Sequence, residues 1–579
     1  MVTTRLMTFF LLVGLLPETV SKAEEARFRQ PVALAWSPDG SRLYVANRKS
    51  GSLSVVDLKA GRVASEHDIA KGLADLATLR DGRLVAVDPE GNALLVLKVG
   101  EGSVEVEARF PIAFDPASVL VSPDGSSCVV ASTASHQLSV ISLPVDETTK
   151  VAPRLVRSIP LPFAPRRLAW AEPGTLLVAA DAHGGRIAVV DPARDRPDSI
   201  RSIPAHNIRG LARTPDGRSL VVAHQTLNKL ARTSFEDVHW GSLLGNHLRV
   251  LSLSAVLDAR GDLLRGSRLV DLGRTGRAAG DPGCIRFDAQ GRLSVALSGV
   301  HEVALIPDST SYSARRVSVG QGPSAVLHSP DGSHVYVADS LDDSISVVDV
   351  NNGSKIQTIP LGARPELTPI DRGERLFADA RVSHDGWMSC QSCHTDGQAN
   401  GLSVDTLSDG GFGAPKRVTS LLGVGATGPW TWLGTTGRLE DQVRKSIETT
   451  MRGRSPSLTQ VDDLTAYLRS LSPPRTIPVE GIDEAVERGR AIFRARRCAE
   501  CHAPPEYTSE GTFDVGLVDE VGHRKFNPPS LRGVAGRAPY LHDGRAASLE
   551  DVFMRHRHPR ESGWSHGEVE DLAAFLRTL

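Results

Sequence analysis

The sequence predicts a multidomain chain in which a seven-bladed all-β propeller is followed by two tandem α-helical domains. Three observations predict it. A strand–turn–strand pattern recurs at roughly forty-residue spacing over residues 28–362, the length of a four-stranded propeller blade. The character then changes to helix with long loops, and the sequence duplicates. Each copy carries one C-x-x-C-H string, at Cys390–His394 and at Cys498–His502. At 579 residues the chain has the length for three or four domains. Its formal net charge of −2, with no long charge run, excludes a nucleic-acid or polybasic membrane partner.

Residues 1–23 read as a secretory signal. Arg5 supplies the positive start, Leu6 to Leu16 the apolar stretch, and Val20-Ser-Lys-Ala23 a small-residue cleavage site. No later segment approaches about 20 uninterrupted apolar residues. The mature protein is therefore expected to be soluble, not membrane-spanning, and periplasmic or otherwise exported.

The blades come next, at residues 28–362. The clearest copies are AWSPDGSRLYVANRKSGSLSVVDL from Ala35 and LHSPDGSHVYVADSLDDSISVVDV from Leu327. Weaker ones start at Leu120 and Leu211, and degenerate ones at Leu76, Leu168 and Ile285. Pro-Asp-Gly between the strands is a turn signal with a mechanism: Pro presets φ and Gly tolerates positive φ. The fifth copy is longer, from about His206 to Gly273, and gathers His206, His224, His239 and His247. With no H-x-H or H-x-x-x-H spacing, scattered turn histidines are the plain reading and a metal or haem-facing site the alternative. Cys128 and Cys284 fall in non-neighbouring repeats, so buried free thiols are expected rather than a disulfide.

The C-x-x-C-H strings carry the chemistry. Two thiols one helical turn apart can each form a thioether with a haem vinyl group, and the following histidine lies under the iron. A zinc site or a thioredoxin-like pair needs no histidine directly after the second cysteine. Two covalently bound haems c are expected, one on Cys390, Cys393 and His394, the other on Cys498, Cys501 and His502, with His394 and His502 as iron ligands. Haem attachment of this type takes place outside the bacterial cytoplasm, in agreement with the signal.

Asp371-Arg-Gly-Glu-Arg-Leu-Phe377 precedes the first motif, and Glu487-Arg-Gly-Arg-Ala-Ile-Phe493 the second. Asp463–Leu471 and Asp571–Leu579 close the two units with apolar residues at i, i+3, i+4 and i+7, the spacing of an amphipathic helix. Pro473-Pro474 marks the break, giving domains at 363–474 and 475–579. Between motif and closing helix, TSLLGVGATGPWTWLGTTGRLEDQV from Thr419 answers PSLRGVAGRAPYLHDGRAASLEDVF from Pro529.

These strings carry two resemblances. Tyr44-Val-Ala-Asn47 and Tyr336-Val-Ala-Asp339 make the repeats similar to the YVTN-type β-propeller family, which speaks to fold and not to function. The paired units, over residues 363–579, resemble the bacterial di-haem cytochrome c peroxidase/MauG family. That resemblance implies two cytochrome c domains, a peroxide-reacting first haem, a six-coordinate second haem, and a tryptophan between them. Trp432 matches the tryptophan, Gln442 matches the family's distal-pocket glutamine, and Glu448 is the nearest counterpart of its acidic distal residue.

Two departures matter. Thr395 to Thr419 holds no histidine, so the first iron is expected to be open or water-held, without a reductive switch; ligation by Met451 would instead make both haems electron carriers. The family's sixth ligand to the second haem lies fourteen residues past the histidine of P-Y-x-H-D-G. Counted from His542 that position is His556, with Met554 as the alternative; in a continuous helix the two differ by about 200° of face. His542 itself is expected to be a hydrogen-bonding residue near the inter-haem region.

The resulting expectation is an exported di-haem oxidoreductase. Hydrogen peroxide or dioxygen would react at the His394 haem, with electrons from a small redox donor protein entering through the His502 haem and crossing by Trp432. The alternative is an electron-transfer di-haem cytochrome whose propeller docks a partner protein.

Overall fold

The computed structural model describes residues 26–143, 152–311, 313–407, 409–475, 483–560 and 563–579; the expected secretory signal lies outside them. Seven four-stranded antiparallel sheets form the blades of a propeller, each with its strands in sequence order. Blade one shows how the repeat folds. Its strands are β1 (Pro31–Trp36), β2 (Arg42–Asn47), β3 (Ser52–Asp57) and β4 (Arg62–Asp68). The β1–β2 turn is held by Asp39, whose carboxylate accepts from the Ser41 N–H at 3.1 Å and from the Ser37 hydroxyl at 2.6 Å. Gly40 takes the left-handed φ of +69° there, which an L side chain rarely adopts. β2 is buried along nearly its whole length because neighbouring blades cover both faces, whereas β4 alternates with solvent.

Buried polar pairs repeat between blades. Asn47 donates to the Ser52 and Ser54 hydroxyls at 2.9 and 2.8 Å, and its counterpart Asp339 accepts from Ser344 and Ser346 at 3.1 and 2.7 Å. Cys128 and Cys284 are buried and unpaired in blades three and six, as expected, and burial pushes the Cys128 thiol up to about 12.

The inner strands adjoin one another round the ring, and β1 lies beside Pro323–His328 of blade seven. Among the described residues the first and last blades share no strand, so side chains close the joint. Trp36 Nε1 donates to the His328 carbonyl at 2.8 Å, the Ser324 hydroxyl to the Pro31 carbonyl at 2.8 Å, and the Arg29 and Gln30 N–H groups to Asp343 at 3.1 and 2.7 Å.

Each helical unit is an opening helix crossed by a closing one: Pro369–Phe377 with Leu458–Ser470, and Asp483–Ala495 with His566–Leu576. A glycine permits each crossing. A Cβ on Gly373 would lie 2.1 Å from the Asp463 carbonyl oxygen, and one on Gly489 2.0 Å from that of Asp571. The same two aspartates take bidentate bonds from Arg372 and Arg488, at 2.8–2.9 Å.

The first unit sits on the face of the ring where the inner strands begin. Its opening helix reaches both sides of the joint. Glu374 accepts from Gln30 at 2.8 Å and Asp371 pairs with Lys49 at 3.0 Å, while Arg375 donates to Gln321 at 3.2 Å and to the Leu341 carbonyl in blade seven. Among the described residues no helix is long and apolar enough to cross a membrane.

Candidate functional site

The first C-x-x-C-H string is fixed by propeller side chains. Cys390–Cys393 forms one helical turn capped by Ser389. Asp281, buried in blade six, accepts from the Ser389 hydroxyl at 2.6 Å and from Ser392 at 2.7 Å. Burial pushes the Asp281 carboxyl up, and the two serine donors oppose that rise. In blade five, His206 Nε2 lies 3.1 Å from the Ser392 carbonyl oxygen, Gln225 donates to the Ser392 hydroxyl at 3.2 Å, and Asn246 donates to the Trp387 carbonyl at 2.9 Å. Just past the motif, Asp396 pairs with Arg166 and with Arg209; burial alone would raise its carboxyl, but the guanidinium groups hold it far below the ordinary carboxylate range.

His394 Nδ1 lies 2.9 Å from the Thr419 carbonyl oxygen. That bond makes Nδ1 the donor and leaves Nε2 with its lone pair, the state in which imidazole binds a metal. Burial pushes the His394 pKa down to about 4, so the ring is neutral. Cys390, Cys393 and His394 line one cavity of about 240 Å³, together with Trp430, Gln442 and Met451. Both thiols and a neutral imidazole opening on one largely apolar space fit a covalently attached haem.

Gln442 is held by the Thr436 hydroxyl and by the Ser446 hydroxyl, each at 3.2 Å. Glu448 is absent from the cavity wall: it pairs with Arg444 at 3.9 Å and its side chain is 35% exposed. The backbone explains this correction. The α-helix Leu439–Lys445 widens into a π-helical stretch, Ser446–Thr450, whose extra residue rotates the later side chains about the axis. Ser446, Ile447, Thr450 and Met451 turn to the cavity in place of Glu448.

In the second unit His502 Nδ1 lies 3.1 Å from the Tyr507 carbonyl oxygen, the same arrangement as His394. The residue brought opposite is neither of the two expected. Met554 is exposed, and His556 has its Nε2 3.2 Å from the Arg545 carbonyl oxygen. His558 stands there instead, its ring centroid 6.5 Å from that of His502 with 67° between the planes. Two metal–imidazole bonds of about 2 Å, plus the depth of each ring, separate an axial pair by about 6 Å. His558 Nδ1 is buried without a partner among the described residues, and burial pushes the pKa down to about 4. The fourteen-residue count from His542 stops short of His558: the helix ends at Met554, and Arg557 takes a φ of +50°. The signal available in the sequence is the string H-R-H-P, His556 to Pro559, where a second histidine precedes a proline.

Between the units, Trp432 Nε1 donates to the Arg417 carbonyl at 2.7 Å, and the Asn527 N–H donates to the Trp432 carbonyl at 2.8 Å. The Trp432 and His542 rings lie 6.4 Å apart, and His542 stacks on Phe526 at 4.3 Å. His542 is 1% exposed, and neither ring nitrogen has a partner among the described residues. The hydrogen-bonding role expected of it is thus not met by protein groups; an unsatisfied donor at this depth fits a site that receives a polar edge of a bound group. Lys416 of the first unit pairs with Asp519 of the second at 3.0 Å, and His523 Nδ1 meets the same carboxylate at 3.0 Å.

Residues 369–471 match the family model described as di-haem cytochrome c peroxidase, and residues 486–579 the model described as cytochrome c. The methylamine utilization protein MauG of Methylorubrum extorquens is 28% identical over 294 residues, 38% of this chain and 82% of that relative. The hydrazine synthase subunit gamma of Kuenenia stuttgartiensis is 26% identical over 271 residues, covering 36% of this chain and 76% of the relative. Among solved structures, Kuenenia stuttgartiensis hydrazine synthase aligns at 23% identity with a TM-score of 0.48, over 58% of this chain and 99% of that one.

Proposed function

We propose that this chain, whose C-terminal region belongs to the di-haem cytochrome c peroxidase/MauG family and whose N-terminal region is a seven-bladed propeller, is an exported oxidoreductase that reacts with hydrogen peroxide or dioxygen. Cys390, Cys393 and His394 would hold one haem c; Cys498, Cys501 and His502, with His558 opposite, the other. Bound there, the haems supply electron storage and the O–O bond chemistry. For peroxide, two electrons and two protons convert one molecule to two of water, the electrons coming from a small redox donor protein.

The chain's own residues would do the rest. The Thr419 carbonyl orients His394. Gln442 binds and orients a substrate oxygen with its amide, and the Ser446 hydroxyl, 3.2 Å from Gln442 Nε2, passes protons. Trp432 spans the junction toward His542 and carries the electron path. The observation that supports this reading is the difference between the two sites: the cavity lined by His394 has Gln442 and Met451 on its wall and no second histidine among the described residues, while the His502 ring is faced by His558.

The test is an electron paramagnetic resonance spectrum of the oxidised, as-isolated protein, with covalent haem counted by mass spectrometry. Two haems, one high-spin and one low-spin, with peroxide consumption that needs no prior reduction, are expected. Two low-spin signals would overturn the reading in favour of an electron carrier, with Met451, 4% exposed on the cavity wall, as the first iron's sixth ligand.

A further inference from the structure

We propose that His239, His384 and Asp385 bind a divalent first-row transition ion, of the zinc(II) or iron(II) class, at the contact between the propeller and the first haem unit. His239 ends a helical turn, Phe235–His239, in the long fifth blade. His384 and Asp385 lie in the segment that leads into the first C-x-x-C-H string. The propeller supplies one donor and the haem unit two, so the set exists only when the two are docked.

The same three atoms define the site. His239 Nδ1 is 2.9 Å from His384 Nε2 and 3.2 Å from Asp385 Oδ2, and the last two are 3.5 Å apart. The corners of such a triangle lie about 1.9 Å from its centre. With metal–ligand bonds of about 2.1 Å, an ion bonded to all three sits about 1 Å above their plane. Two imidazoles and one carboxylate on one side of the ion leave its opposite side open to water or another ligand.

A hydrogen-bonded cluster accounts for these atoms less well. One proton at most fits between the two imidazole nitrogens, and the carboxylate oxygen lies at or beyond the edge of hydrogen-bond range from both. The donors are also held from outside. The Phe235 ring stacks on His239 at 5.4 Å and packs on His384 at 4.7 Å. The Gly276 N–H donates to Asp385 Oδ2 at 2.8 Å, the His384 N–H to the Met451 carbonyl at 3.0 Å, and Trp387 Nε1 to the His239 carbonyl at 3.2 Å. Outer contacts of this kind orient metal ligands. His384 and Asp385 also line an open basin between propeller and haem unit, which gives an ion a way in.

The test uses the haem-loaded, untagged protein, stripped with a chelator and titrated with Zn²⁺ by calorimetry. One ion per chain beyond the haem irons is expected, with a rise in melting temperature. His239→Ala and Asp385→Asn should each weaken binding roughly tenfold or more and abolish that rise, with the haem spectrum unchanged. If either variant loses the haem spectrum, His384→Gln takes its place. No stoichiometric binding by the parent protein overturns the proposal. So does binding that survives these variants but is lost in Asp519→Asn, which would place the ion on the other donor group, Asp409, Asp519 and His523.

Discussion

The two haem units share a frame nearly bond for bond and differ in what the frame is used for. Gly423 and Gly533 each donate to a leucine carbonyl just past the closing helix, Leu471 and Leu579, at 3.0 and 2.9 Å. Trp430 in one and Tyr540 in the other donate to the carbonyls of Val424 and Val534, both at 3.1 Å. His394 and His502 are oriented by carbonyls in the same way. The divergence begins after the next helix. In the first unit it runs on as a π-helix and brings Met451 to the cavity; in the second it stops, and a turn delivers His558. The first motif is clamped by Asp281, His206 and Gln225 of the propeller, while the second forms a 3-10 turn flanked by the exposed pair Arg497–Glu500. Duplication has kept the side that holds the histidine of each motif. Change has been confined to the opposite wall and to the outer surface.

The largest way to break that contrast is His558→Ala. The second iron should lose its low-spin signal and gain a high-spin one, whereas His556→Ala should leave the spectrum unchanged. An unaltered low-spin signal in His558→Ala sinks the assignment.

Asp281→Ala tests the clamp. It removes two hydrogen bonds to a carboxylate and leaves the Ser389 and Ser392 hydroxyl protons without their acceptor, a cost of about 3 kcal/mol. Chemical denaturation should register that loss; one below about 1 kcal/mol would mean that the propeller merely touches the motif.

Asp519→Asn tests the joint between the units through pH. Burial alone would raise the Asp519 carboxyl, but Lys416 and His523 hold it at about 2. A carboxyl lowered on folding stabilises fully above its unfolded value near 4 and loses that contribution as pH falls toward 2. The contribution is on the order of 1–2 kcal/mol after solvent screening. Melting temperatures of the parent should therefore drop more steeply over that window than those of Asp519→Asn. Parallel curves would remove the pair from the account.

Trp432→Phe is the gentlest probe. The hydrogen bond to the Arg417 carbonyl is worth about 1 kcal/mol, so folding should be nearly kept. Electron transfer from the second haem to the first should slow at least several-fold in stopped-flow traces. An unchanged rate would make Trp432 a packing residue.

Periodicity made the propeller and the duplicated units readable, and the C-x-x-C-H strings made the haem-type sites readable. Trp432 and His542 meet where the paired loops imply. The features that could not be read depended on chain direction or on the other domain. His556 rested on a count of fourteen residues from His542, across a helix that ends at Met554, and Glu448 on being the nearest acidic residue, in a stretch that is π-helical. The grouping of His239 with His384 and Asp385 has no local signature, because its members come from elements about 145 residues apart. The same is true of Asp281, which looks like any loop aspartate until Ser389 and Ser392 stand against it.

A propeller whose first and last blades exchange no strand is a split washer, and its weakest point is the cut. Here the opening helix of the first haem unit lies across that cut, gripping Gln30 and Lys49 on one side and Gln321 and Leu341 on the other. Load that would spread the ring is thereby carried by the helix that leads to the first C-x-x-C-H string. The ring and the redox unit therefore brace each other. A chain cut after residue 362 would lose its buckle together with its cofactor sites.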